Sequence, residues 1–188
     1  MKLQDGDNRF RVLGRALEAA ELWIDGKPVR RKSKFDYTKS DLDNADENKL
    51  TKMKSEPKEI LAFPVYNYQT SKVEVLQLNQ VTILRALDKY FHDEDWGDPQ
   101  DYDIVIERSK IGDKVSYSVS PKPAKLLKPE VEDAWDEAYK AGFSIEALLT
   151  GGNPFGSKKP EESYTPAKKS DSTPSGNSLE DDLKEAGL

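Results

Sequence analysis

No cysteine occurs anywhere in the 188 residues. That excludes disulfides, a thiolate nucleophile and any zinc site built on Cys ligands, and it fits a reducing compartment. Histidine occurs once, as His92. A Ser-His-Asp arrangement would have to use it, yet it closes an amphipathic stretch, where a cationic side chain suits a helix end. No apolar run approaches the roughly 18 residues of a membrane span, and no apolar core near Met1 resembles a secretory leader. Gly-rich phosphate loops and dinucleotide fingerprints are also missing. Hydrophobic residues make up 36% of the chain and charged residues 34%, which is polar for a chain that is globular throughout. The expectation is one compact soluble domain with appendages, cytoplasmic, with no cofactor, no metal and no membrane contact.

What is present is segregated charge. The formal net charge is −6, but its distribution matters more than its sum. Between Lys27 and Lys39, six basic residues (Lys27, Arg30, Arg31, Lys32, Lys34, Lys39) face one acid, Asp36, a local +5. At the other end, Ser178 to Leu188 carries Glu180, Asp181, Asp182 and Glu185 against Lys184, a local −3.

Patterning predicts a mainly β chain. Arg9 to Leu13 alternates, with Phe10 and Val12 on one face and Arg9 and Arg11 on the other. Ala20 to Asp25 alternates with Leu22 and Ile24 inward, which leaves Trp23 on the polar face. Asp25-Gly26 is a hairpin signal, with Val29 to Lys32 pairing back. Residues 33–57 lack apolar periodicity and read as a long mobile loop. Lys58 to Tyr68 places Leu61, Phe63 and Val65 on one face and Ala62, Pro64, Tyr66 and Tyr68 on the other. Pro64, which has no N–H, marks an edge or bulge. Val73 to Leu78 returns, Asn79 suits the N-cap of a helix Gln80 to Phe91, and Tyr102 to Arg108 with Lys114 to Ser120 forms a last hairpin. Pro121, Pro123 and Pro129 mark a boundary before a helix Glu130 to Ala141 and one further turn at Ser144 to Leu149. From Gly151 to Asn177 the composition is that of a disordered linker. Ser178-Leu-Glu-Asp181 then has capping-box form. Residues 1–126 are thus read as one domain, 127–150 as a helical appendage and 151–188 as linker and acidic tail.

Strand, hairpin, strand, helix, strand, hairpin, strand is the order of the back half of an OB-fold barrel, and the expectation is a five-stranded barrel of that kind with one inter-strand helix. On such a surface, rings out of phase with the core can stack on unpaired bases. Trp23, Tyr66 and Tyr68 meet that criterion, and Phe35 and Tyr37 interleave with cations. Packing under the loop or the C-terminal helix is the competing reading for these rings. Arg9, Arg11, Arg30, Arg31, Lys32, Lys34 and Lys39 form a candidate phosphate track, with Arg108, Lys110 and Lys114 adding charge at a second loop. Asp93, Glu94, Asp95, Asp98, Asp101 and Asp103 are acidic enough to suggest a metal, but they crowd one Gly/Pro loop without calcium-loop spacing; the solvated-loop reading is preferred.

Ala62-Phe-Pro-Val-Tyr-Asn-Tyr68, Asp95-Trp-Gly-Asp-Pro99, Tyr102-Asp-Ile-Val-Ile106 and Tyr117-Ser-Val-Ser-Pro121 together resemble phage-encoded single-stranded DNA-binding proteins of the helix-destabilising type, over roughly residues 9–123. The resemblance implies an OB-fold that coats unwound DNA in replication, recombination and repair, without catalysis, in the host cytoplasm. It also implies an acidic C-terminus, here Leu179, Glu180, Asp181, Asp182 and Leu183, that recruits a polymerase or helicase, with self-association left open. The larger T-even relatives carry a zinc module for which this chain has no cysteines. Rival readings are an acidic interaction protein or DNA mimic, an RNA-binding OB protein, and a metal-dependent nuclease using the acidic loop.

Overall fold

The computed structural model describes residues 1–49 and 51–156. Seven strands, β1 (Gly6–Val12), β2 (Leu17–Ile24), β3 (Lys27–Arg31), β4 (Lys58–Asn67), β5 (Lys72–Leu78), β6 (Asp103–Ile111) and β7 (Lys114–Pro121), form one antiparallel sheet. Three helices accompany it, α1 (Lys39–Asp43), α2 (Val81–Phe91) and α3 (Pro129–Lys140). The strand order is β3-β2-β4-β1-β6-β7, with β5 paired to the other edge of β4. Among the described residues no ladder joins β5 to β7, so the sheet is open where a closed five-stranded barrel was expected.

β4 organises the sheet because β1 and β2 share one of its edges. Val12 pairs with Val65, and Leu17 pairs with Ala62. Four residues, 13–16, therefore face two, 63–64, across a wide bulge. Pro64 lies in this gap, where its missing N–H deprives neither ladder, and its carbonyl accepts from the Leu13 N–H at 3.0 Å. Gly14 is required here by close approach, since a Cβ would meet Pro64 Cγ at 3.2 Å and the Trp135 ring at 3.5 Å. The Asp25-Gly26 turn takes positive φ at both residues (50° and 71°), as a tight two-residue hairpin demands.

Alternation divides β4 as its sequence predicts. Phe63 and Val65 join Phe10, Val12, Leu76, Leu78, Ile83, Leu87, Ile104 and Ile106 in the principal core. Tyr117 and Val119 of β7 pack on the same core as the β5 leucines, so the open sheet curls around one apolar centre. Each fully buried aliphatic or aromatic side chain contributes about 1.5–3 kcal/mol. The helix α2 closes one side of this core through Ile83 and Leu87, while Val81 is exposed. Its N-cap is Gln80 rather than Asn79, and no side chain caps it.

Two other segments depart from expectation. Residues 33–57 are not a featureless loop. Ser33 and Asp36 form a capping box on a 3₁₀ turn at Lys34–Asp36, and Thr38 and Asp41 form another on α1. Bridges join Ile24 to Ala45 and Glu47 to Lys54. In the span read as linker, residues 151–156 belong to the appendage: the Ser144 N–H donates to the Pro154 carbonyl at 2.9 Å, and the Phe155 ring meets Phe143 at 5.1 Å.

Candidate nucleic-acid interface

The strand alternation that builds the core also sends a second set of side chains to the outer face of the sheet. Arg11 pairs with both Tyr66 and Asp103, so these three share that face with Arg9 and Pro64. Most of it is covered. Val131, Ala134 and Trp135 of α3 pack with Leu13, Tyr66 and Val73, and Phe143 and Ile145 pack with Leu17, Ala62 and Val75. Tyr66 is consequently only 6% exposed. The expectation of a surface ring at Tyr66 is corrected: it lies on the predicted side of its strand, but beneath the C-terminal helix.

At the margin of this cover, Asp103 collects cations. Its Oδ1 accepts from Arg11 Nε at 2.7 Å and from the Tyr68 hydroxyl at 3.0 Å, while Oδ2 accepts from Arg9 and lies 3.2 Å from Lys125 Nζ. Burial would push the Asp103 carboxyl up, but the hydrogen bonds from Arg9 and Arg11, with Arg11's charge and Lys125 behind them, hold it below the usual carboxylate range. The same environment pushes the Tyr68 phenol up to about 12, first through burial and then through the Asp103 charge and hydrogen bond. Arg11 is fully buried, with its Nη1 donating to the carbonyls of Gln100 and Lys125 at 3.2 Å, so it is structural rather than a phosphate contact. Tyr68 is likewise engaged, since the Arg9 guanidinium stands 4.8 Å over its ring and Tyr66 meets it edge-on. The solvent-facing element of this cluster is Arg9 on Tyr68, beside Lys125. Sequence reasoning missed Asp103 and Lys125 as its organisers, because Asp103 comes opposite Arg11 only through the β1–β6 ladder.

A different arrangement occupies the β2–β3 hairpin and the turn after it. Trp23, opposite Pro28, is 47% exposed, and Phe35 on the 3₁₀ turn is 84% exposed. Lys27, Arg31, Lys32, Lys34 and Lys39 are all exposed along the same segment. Lys34 Nζ stands 5.4 Å from the Phe35 ring centroid. Two expected members drop out. The Tyr37 ring is buried against Ala20, Leu22 and Ala45, and its single hydroxyl proton is shared between the carbonyls of Ala20 (2.7 Å) and Val29 (2.8 Å). Burial is the main reason its phenol is pushed up, partly offset by Arg31. Arg30 turns inward to Glu21 at 2.8 Å and is not a free cation.

The β6–β7 hairpin divides its cations between faces. Arg108 pairs with Tyr117 and Lys110 with Val115, so these lie on the core-side face beyond the end of the core, whereas Lys114 pairs with Ile111 on the opposite one. Arg108 is tied to Asp5; Lys110 and Lys114 are exposed, as is Ile111 at the tip.

In the acidic loop, Asp98 caps a 3₁₀ turn at Pro99–Asp101 through the Gln100 N–H, and Asp93 accepts from the Asp95 N–H. Among the described residues no three His, Cys, Asp or Glu side chains stand together as a metal site, and no helix is long and apolar enough to cross a membrane. The tail residues Leu179, Glu180, Asp181, Asp182 and Leu183 lie outside the described residues. What remains exposed in the Trp23–Lys39 segment is two rings and five cations. Lys27 and Arg31 pair with Ile24 and Ala20 on the hairpin face opposite Trp23, Arg31 lies 3.5 Å from Asp41 and Lys34 3.8 Å from Glu59, and Arg9, Lys110 and Lys114 are outlying charges. Comparison with protein-family models, with curated proteins and with solved structures returns no match for this chain.

Proposed function

We propose that this chain binds single-stranded DNA without sequence preference, through Trp23 and Phe35 as stacking rings and Lys27, Arg31, Lys32, Lys34 and Lys39 as phosphate contacts. The observation that carries the reading is the exposure of both rings and all five cations along one short segment. Base stacking on an exposed ring contributes about 1–3 kcal/mol per base and tolerates any base. Phosphate contacts add affinity by releasing counterions.

The strand course supports an OB-type architecture within this proposal. β1 and β2 act as one long bent strand against β4, β5 follows as a hairpin, α2 leads to β6, and β6 returns to β1. The Trp23–Lys39 segment then belongs to the connection between the first two barrel strands, one of the two loops flanking the usual ligand face, and the β6–β7 hairpin is the other. No bond is made or broken. The protein shields unwound DNA during replication, recombination and repair, and its acidic C-terminus recruits a polymerase or helicase.

The test is a fluorescence-anisotropy titration with oligo-dT, duplex DNA and RNA over a range of salt concentrations. Five phosphate contacts predict a log–log salt slope of about −3.5 for single strands, with duplex bound more weakly. Absence of binding to oligo-dT even at low salt would reject the proposal in favour of an acidic interaction protein.

A further inference from the structure

Beneath the exposed ring of Trp23 lies a buried polar group drawn from three strands. Glu21 is 7% exposed, and its carboxylate accepts from Arg30 at 2.8 Å, from Gln77 Nε2 at 3.0 Å and from the Trp23 indole N–H at 3.2 Å. Gln77 Oε1 accepts in turn from Arg30 at 3.1 Å. Arg30 itself is 13% exposed. β2 supplies the acid and the ring, β3 the guanidinium and β5 the amide. Replacing a buried ion pair by apolar side chains of similar volume is often neutral or favourable for stability, so stability alone is a weak reason for this group. Its distinctive consequence is geometric. One carboxylate oxygen fixes a half-exposed indole, while the carboxylate is itself fixed by two further donors.

We propose that Glu21, braced by Arg30 and Gln77, is a positioning residue that holds Trp23 as a preformed stacking platform for an unpaired base. The inference rests on the single-stranded DNA reading and deepens it. A side chain already locked in its bound rotamer loses less entropy on association. The Arg30 charge, 2.8 Å away, offsets the repulsion the Glu21 carboxylate would exert on a nearby phosphate. Arg30 is thereby reassigned from the phosphate track to the support of the ring.

The paired variant Glu21→Leu/Arg30→Met removes the acceptor while leaving no unpaired buried charge. Two quantities decide the matter: the hydrogen-exchange rate of the Trp23 indole N–H, whose NMR signal is identified by its loss in Trp23→Phe, and oligo-dT affinity across salt concentrations. The expected result is faster indole exchange and an affinity about three- to tenfold lower at every salt concentration, with the salt slope unchanged. In a Trp23→Ala background the same pair should cost no further affinity. An unchanged affinity despite a freed indole overturns the proposal. So does a slope smaller in magnitude by about 0.7, the signature of a lost phosphate contact. Should the paired variant fail to fold, Gln77→Ala read by the same two measurements must move both in the same direction, or the proposal falls. A wild-type protein that ignores oligo-dT rejects the functional reading alone, and the indole clamp is then judged on its exchange rate.

Discussion

Asp103 shows how one side chain can set the character of a surface. It is fully buried, yet it gathers Arg9, Arg11, Lys125 and the Tyr68 hydroxyl. Removing its charge leaves Arg11 buried without a counter-ion, so Asp103→Asn should lower unfolding stability by about 3 kcal/mol in a urea titration. The pH dependence follows the direction of the shift. With its folded-state carboxyl held low, Asp103 contributes fully above the ordinary carboxylate pKa near 4, and that contribution is lost as pH falls through the lower folded value. Asp103→Asn should therefore flatten the acid limb of the stability curve, and an unchanged limb would show that the cluster does not hold the carboxylate. The aromatic assignments separate at the same scale. Trp23→Ala should weaken oligo-dT binding by about 1–3 kcal/mol with little change in stability. Tyr66→Ala should do the reverse, costing about 3 kcal/mol of stability and leaving the affinity of the folded protein intact. Loss of binding in a fully folded Tyr66→Ala protein would restore that ring to the interface.

The C-terminal helix and the turn after it decide which sheet face a ligand can reach. α3 and the 3₁₀ turn Ile145–Thr150 cover Leu13, Ala62, Tyr66 and Val75, the face where alternation alone would place a ligand. Phe143→Ala should cost about 3 kcal/mol of stability without changing oligo-dT affinity. A rise in affinity would mean that the covered face binds DNA once uncovered. This element also marks the limit of what the sequence discloses. Alternation identified both faces of β4, Trp23 on the polar side of β2, and the hairpin at Asp25-Gly26, because strand period and turn chemistry are local. It did not distinguish Tyr66 from Trp23, because both are out of phase with the core and only the docking of α3 separates them. Arg11 and Arg30 were likewise read as free cations, since their acids, Asp103 and Glu21, meet them through the ladders with β6 and β2. The two capping boxes at Ser33–Asp36 and Thr38–Asp41 were legible as S-x-x-D and T-x-x-D, but the lack of apolar periodicity around them masked the signal.

Over the whole molecule the governing contrast is between a net charge of −6 and a segment of +5 between Lys27 and Lys39. Under the proposed function, an acidic chain would approach DNA against its own average field, so binding would rely on a local cationic surface that outweighs the average only at short range. Salt then acts in two opposing ways. It would weaken the phosphate contacts of that segment, and it screens the repulsion and competition from distant acids, including the four in Ser178 to Leu188. Deleting those eleven residues removes four acids and one lysine and takes the net charge from −6 to −3. If the tail competes with DNA for the Trp23–Lys39 surface, the truncated chain should bind oligo-dT on the order of threefold more tightly at about 0.05 M salt, where the Debye length exceeds 10 Å. The advantage should vanish by about 0.5 M, where screening is nearly complete at those distances. If the tail also recruits a polymerase or helicase, as proposed, the same truncation should abolish that capture without weakening DNA binding. Equal affinities of the two chains at low salt would show that the tail does not compete for the basic surface.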